Sequence, residues 1–123
     1  IHYARAGHCP ILFYRKETGQ AAFLSDKGTA LGMVKDTRYD ELIESHALTY
    51  QSGDILLLYT DGIIEARNKS GKDFGYTRLI PILEGAANTS ATEIQKTLIR
   101  ELYAFTAHTD LNDDYTLLVI KFI

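Results

Sequence analysis

The run Ile55–Tyr59 constrains the fold more than any other segment of this chain. All five residues are apolar, a pattern that fits a strand covered on both faces better than a surface strand. The run is followed by Thr60, Asp61 and Gly62. An Asp-Gly pair is typical of a turn, because glycine tolerates positive φ. The sequence therefore predicts a core strand that ends at Asp61, where a rigid element can hold a catalytic or metal-binding carboxylate.

A second acidic turn, residues 112–116, precedes the apolar run at residues 117–120. This turn contains Asp113 and Asp114. Carboxylate clusters at the ends of two core strands indicate one shared site for a hard cation such as Mg²⁺ or Mn²⁺. Two carboxylates about 5 Å apart repel by roughly 3 kcal/mol at an effective dielectric near 20, so a cation makes the arrangement favourable. The alternative is that these aspartates only cap and shape turns, where they are common.

Composition places the chain among single globular domains, with 123 residues of which 46% are hydrophobic and 24% charged. The net charge of −3 and the lack of a Lys/Arg block argue against a nucleic-acid partner. No apolar run approaches the ~18 residues needed to span a bilayer, so no membrane contact is predicted for this segment. The single Cys9 excludes an intramolecular disulfide and favours a cytoplasmic location.

The pattern along the chain predicts strands in the first half and helices later. Short strands at residues 2–6, 11–15 and 21–24 are expected to form a meander of hairpins, with a further strand within residues 39–50. A helix is predicted over residues 76–87. The clearest helix begins after Ser90, which with Glu93 forms a capping box. Its apolar stripe recurs every three or four residues, at Ile94, Leu98, Leu102 and Phe105.

Five short motifs follow one another in a specific order. They are AGHCP at residues 6–10, LGM at 31–33, GDILLLYTDGIIEA at 53–66, Phe74-Gly75 before Arg78-Leu79, and DDYTLLV at 113–119. Together they resemble the metal-dependent protein serine/threonine phosphatases, in the bacterial branch typified by SpoIIE and RsbU. The resemblance runs over almost the whole chain, and the joint presence of the Asp-Gly and Asp-Asp-x-Thr segments makes it specific.

The resemblance implies an α+β fold, an α-β-β-α sandwich in which two antiparallel sheets are flanked by helices. It implies two Mn²⁺ or Mg²⁺ ions at one edge of the sandwich. The implied activity is hydrolysis of phosphoserine or phosphothreonine on a regulatory protein, often an anti-sigma-factor antagonist of the STAS type, by a metal-activated water. An upstream sensor or receiver domain is also implied for the parent protein.

Site residues carry over from the resemblance by position. Asp61 and Asp113 match the family's metal ligands. Gly62, which serves the backbone turn, and Asp114, a hydrogen-bonding neighbour, are expected around them. No catalytic residue beyond the metal ligands is implied.

One departure from the family pattern changes the expectation for this chain. The family's first motif, an acidic residue followed by glycine and histidine, supplies a ligand that bridges both metals, but here Gly7-His8 follows Ala6. Residues 1–123, which begin without Met, are therefore expected to be the C-terminal part of a phosphatase domain with an incomplete metal site. Open sheet edges would favour a homodimer. The alternative function is a catalytically inactive domain that serves as an interaction or scaffold module.

Overall fold

The strands form two antiparallel sheets in the computed structural model, which describes residues 1–24, 30, 33, 38–107 and 114–123. The strands are β1 (His2–Ala4), β2 (Leu12–Arg15), β3 (Gln20–Phe23), β4 (Ser45–Ala47), β5 (Ile55–Tyr59) and β6 (Leu117–Lys121). The helices are α1 (Arg38–Leu42), α2 (Asp61–Ile64), α3 (Leu79–Ala86) and α4 (Ala91–Phe105), and a 3-10 helix, Tyr76–Arg78, leads into α3. This architecture confirms the predicted α+β class.

The larger sheet has the strand order β3-β2-β5-β6, and the smaller one pairs β1 with β4. The apolar run Ile55–Tyr59 is thus a central strand, as predicted, with β2 on one side and β6 on the other. Its side chains are buried on both faces, apart from the partly buried Leu58. Strands β3 and β6 form the edges of this sheet. The homodimer expected from the sequence would form through such an edge strand.

The main core lies between the larger sheet and helices α3 and α4. The apolar stripe predicted for α4 faces this core, with Ile94, Leu98 and Leu102 buried. The sheet contributes the fully buried side chains Leu12, Ile55, Leu57 and Tyr59. Burial of each such side chain stabilises the fold by about 1.5–3 kcal/mol.

A second, smaller core lies on the opposite face of the larger sheet. It consists of the buried Phe13, Leu48 and Leu56, with Tyr3 from β1 and Leu58 packed against them. The smaller sheet therefore forms a further layer beyond the larger one. The order helices, larger sheet, smaller sheet follows from strands that are apolar on both faces.

The cap predicted for α4 is present. Ser90 is the N-cap residue, and its Oγ accepts a hydrogen bond from the backbone N–H of Glu93 at 3.2 Å. The Glu93 carboxylate accepts a hydrogen bond from Lys96 Nζ at 2.8 Å. The serine half of the capping box thus begins the helix, and the glutamate forms an exposed ion pair one turn along it.

The smaller sheet departs from the sequence predictions in two ways. The strand expected within residues 39–50 is present but short, because α1 occupies Arg38–Leu42 and only Ser45–Ala47 is extended. Helix α1 contains Arg, Glu and Leu, which lose little rotamer freedom in a helix. The predicted meander also fails for β1, which pairs with β4 through Tyr3 opposite His46, whereas β2 and β3 do form a hairpin. Alternation identifies a strand but not its partner.

In the part of the chain that the structure describes, no helix combines the length and the apolar character needed to cross a membrane.

Candidate metal centre

The two acidic turns meet where β5 ends and β6 begins. These strands pair in antiparallel fashion, with Tyr59 opposite Leu117. The residues that follow β5 therefore lie beside the residues that precede β6. The structure thus brings Asp61 next to the described part of the second turn, residues 114–116. Asp113, the other predicted metal ligand, lies outside the described residues, as do Leu31 and Gly32 of the motif at 31–33.

Thr60 and Thr116 join the two turns by a pair of hydrogen bonds. The backbone N–H of Thr60 donates to the carbonyl oxygen of Thr116 at 3.1 Å. The backbone N–H of Thr116 donates in return to the Thr60 side-chain Oγ1 at 2.9 Å. The hydrogen bonding between β5 and β6 thus continues beyond their last residue pair, Tyr59 and Leu117, to Thr60, which directly precedes Asp61.

Gly62 lies against the second turn. A side chain at this position would collide with the backbone carbonyl oxygen of Asp114. Gly62 is buried as the second residue of α2, and it is not among the glycines with positive φ. The turn role predicted for Gly62 was therefore wrong. Glycine is required here because two backbone segments approach closely, which is another of its uses.

Asp61 is the first residue of α2, and its side chain is exposed to solvent. A carboxylate in the first turn of a helix interacts favourably with the backbone N–H groups at that end. Asp114 is also exposed. Both carboxylates therefore lie where a cation can reach them from solvent.

Cys9, in a loop near the start of the chain, interacts electrostatically with Asp61. Burial raises the pKa of the Cys9 thiol, and the negative charges of Asp61 and Glu65 raise it further. The Tyr76 hydroxyl lies 4.0 Å from Cys9 Sγ, and the buried Tyr59 donates a hydrogen bond to the Pro10 carbonyl at 2.9 Å. The interactions of Cys9 with Asp61 and with Tyr76 are not predicted from the sequence, because the residues are far apart along the chain and no local pattern links them.

The second turn is also anchored to α4. A hydrogen bond with Tyr103 raises the pKa of the Tyr115 phenol, and burial adds to the effect. Tyr103 is on α4, and Tyr115 follows Asp114 directly. The turn is thus linked to α4 as well as to β5.

The donor chemistry at this edge suits a hard cation, since carboxylate oxygens are the ligands that Mg²⁺ and Mn²⁺ prefer. Residues 1–24, 30, 33, 38–107 and 114–123 contain no group of three or more His, Cys, Asp or Glu side chains that could hold a metal. Asp61 and Asp114 carry oxygen donors of the kind that such an ion takes, without a third His, Cys, Asp or Glu side chain to complete a group in those ranges.

The arrangement of the motifs is matched by a known family. The family model for Stage II sporulation protein E (SpoIIE) covers residues 1–123 of this chain. The chain belongs to the SpoIIE family. The resemblance predicted from the five motifs is thereby confirmed.

A curated relative in this family is a named phosphatase. Phosphoserine phosphatase RsbU of Bacillus subtilis (strain 168) is 30% identical over 119 residues, which are 97% of this chain and 34% of RsbU. The chain therefore spans about a third of the length of that relative.

Solved structures share the fold of this SpoIIE-family chain. The SiaA-PP2C domain of Pseudomonas aeruginosa matches with a TM-score of 0.77 and 21% identity, over 99% of this chain and 47% of that one. The phosphatase domain of SpoIIE from Bacillus subtilis, in a Mn-presoaked form, matches with a TM-score of 0.68 and 18% identity, over 98% and 50%. The two antiparallel sheets with flanking helices are therefore the fold of PP2C phosphatase domains, and this chain spans about half of each.

Proposed function

We propose that the protein containing this chain is a metal-dependent protein phosphatase, which removes phosphate from serine or threonine on a regulatory phosphoprotein. The observation that carries this proposal is the juxtaposition of Asp61 with residues 114–116 of the second acidic turn, held by Thr60 and Thr116. Family membership and the relative named phosphoserine phosphatase support the same chemistry.

The proposed ligands are Asp61 and Asp113, with Asp114 as a hydrogen-bonding neighbour and Gly62 allowing the close approach. When bound, Mn²⁺ or Mg²⁺ would polarise a phosphoryl oxygen and lower the pKa of an attacking water. Asp61 presents its carboxylate at the end of a buried central strand, so its backbone is fixed while its oxygens stay exposed. The exposed edge leaves room for a phosphorylated side chain carried by a separate protein.

The proposed partner is a phosphorylated regulatory protein, and an anti-sigma-factor antagonist of the STAS type is the form that the family resemblance implies. A cytoplasmic location and an upstream sensor or receiver domain in the parent protein belong to the same proposal. The lone Cys9 supports a reducing compartment.

An inactive interaction or scaffold module is the second candidate. It is favoured by the departure at the family's first motif, where Gly7-His8 follows Ala6 and not an acidic residue. Under this reading Asp61 and Asp114 only shape the two turns. The two candidates differ in whether Asp61 is needed for turnover.

The deciding experiment is Mn²⁺-dependent dephosphorylation of a phosphoserine STAS-type protein by the full-length protein and by its Asp61→Asn variant. Asp73→Asn is the matched control, because Asp73 is an exposed carboxylate paired with Arg67 at 2.9 Å on the loop after α2. Turnover lost in Asp61→Asn and kept in Asp73→Asn would support the phosphatase. Equal rates in Asp61→Asn and the unaltered protein would contradict the role of Asp61, and no turnover in either would favour the scaffold module.

A further inference from the structure

We infer that the Thr60 side-chain hydroxyl is a positioning group for the metal centre, which fixes the spacing between Asp61 and the described part of the second acidic turn, residues 114–116. This inference rests on the proposed function, since it assigns a role at the same site. Thr60 itself is not proposed to touch metal or substrate. It acts by holding the two acidic turns together.

Thr60 is the N-cap residue of α2, with an extended backbone of φ −90° and ψ 165°. A threonine in that position normally accepts a hydrogen bond from a backbone N–H in the first turn of its own helix. Thr60 makes no such side-chain bond. Its Oγ1 instead accepts the backbone N–H of Thr116 at 2.9 Å, across to the neighbouring segment. The hydroxyl is thus used between the two turns and not within the helix.

The position of this bond decides its effect on the site. Thr60 precedes Asp61 directly, and Thr116 lies two residues after Asp114. The hydrogen bond holds the second turn against the first, while the carbonyl oxygen of Asp114 lies against Gly62. An attractive contact and a close steric contact together hold the backbone of the second turn against the start of α2, and so set the distance between that turn and Asp61.

A purely structural role for Thr60 predicts a different result from a positioning role. Thr60→Val keeps the size and the β-branch of the side chain and removes the oxygen. If the hydroxyl only stabilises the fold, the folded variant should bind metal as before. If it sets the ligand spacing, the folded variant should bind metal more weakly, because groups that orient ligands typically change metal affinity by about 10–100-fold.

The test is a Mn²⁺ titration of four variants of the full-length protein, in which electron paramagnetic resonance measures the free Mn²⁺. Thr60→Val removes the hydroxyl, and Thr60→Ser keeps it. Thr89→Val removes a hydroxyl that donates to the Ala86 carbonyl at 2.8 Å, after α3 and away from the site. Asp61→Asn reports on the proposed metal role itself. Hydrogen exchange of the Thr116 amide is measured in parallel, because it needs no metal.

We expect Thr60→Val to weaken Mn²⁺ binding about 10-fold and to speed exchange at the Thr116 amide, with Thr60→Ser within about 2-fold of the unaltered protein. Thr89→Val should change neither reading. Should Thr60→Val not fold, Thr60→Ala takes its place in the comparison with Thr60→Ser. Unchanged Mn²⁺ affinity in the folded Thr60 variants, with binding lost in Asp61→Asn, would overturn this inference alone. Unchanged affinity in Asp61→Asn would overturn the proposed metal role on which it rests.

Discussion

The carboxylate of Glu84 on α3 accepts a hydrogen bond from the backbone N–H of Ala21 on β3, at 2.8 Å. Strand β3 is an edge strand of the larger sheet, and Ala21 is buried. A backbone N–H on the outer side of an edge strand has no strand partner, so it needs another acceptor when it is removed from water. Glu84 therefore both ties α3 to the sheet and covers part of an exposed strand edge.

Replacing Glu84 by alanine should destabilise the fold by about 1–3 kcal/mol, because the Ala21 N–H would lose its acceptor. Glu84→Gln should lose less, since its amide oxygen still accepts. Urea unfolding followed by circular dichroism measures the difference in free energy. Glu101→Ala on the exposed side of α4 is the control and should stay within about 0.5 kcal/mol of the unaltered protein. A Glu84→Ala variant as stable as that control would show that the contact contributes nothing.

Position 62 should not tolerate a side chain, even the single methyl group of alanine. Gly62→Ala brings a side chain into the Asp114 carbonyl, so the two turns must separate. We expect a loss of about 1–3 kcal/mol of stability and weaker Mn²⁺ binding. Gly85→Ala is the matched control, because it lies in α3 with open space around it and should stabilise the helix by about 0.5–1 kcal/mol. Thermal unfolding and Mn²⁺ titration of both variants test this. Equal behaviour of the two would contradict the close approach.

Gly62 shows which features of the site the sequence pattern predicts and which it does not. The Asp-Gly pair correctly marked the end of the central strand, because a five-residue apolar run followed by turn residues is a local signal. The reason for the glycine was misread. A local pattern suggests positive φ, whereas the actual requirement is the Asp114 carbonyl, 52 residues away in sequence. Contacts of that range depend on which strands pair.

Strand pairing also explains what was predicted correctly at the site and what was missed. The two acidic turns were expected together because each flanks an apolar run, and β5 does pair with β6. The pairing of β1 with β4, and the approach of Cys9 to Asp61, had no periodic signal to reveal them. The amphipathic helix α4 was the easiest element to predict from the sequence, since its cap and its apolar stripe both lie within 16 residues.

A buried carboxylate in the turn before β5 should be important for stability. Asp54 is 2% exposed, and its two oxygens accept the backbone N–H groups of Lys16 at 2.8 Å and Gln51 at 2.9 Å. Asp54→Asn leaves one oxygen for two donors, so we expect a loss of about 1–3 kcal/mol in the free energy of unfolding. Asp73→Asn, at an exposed ion pair, should be nearly as stable as the unaltered protein. Urea unfolding of the two variants measures the contrast, and equal losses would count against the buried contacts.

The thiol of Cys9 should react slowly with alkylating reagents. Burial, the largest effect, raises its pKa, and the charges of Asp61 and Glu65 raise it further, while the hydrogen bond from Tyr76 lowers it. Only the thiolate is nucleophilic, so a raised pKa leaves less reactive thiolate at pH 8 than in the unfolded chain. The rate of reaction with iodoacetamide should therefore rise with pH and reach half its maximum above the midpoint for the urea-unfolded chain. Tyr76→Phe should shift that midpoint further upward because it removes the bond that lowers the pKa, whereas Asp61→Asn should shift it downward. Midpoints that coincide in the folded and unfolded protein would contradict the burial of Cys9, and an unchanged midpoint in Asp61→Asn would contradict the electrostatic effect of Asp61.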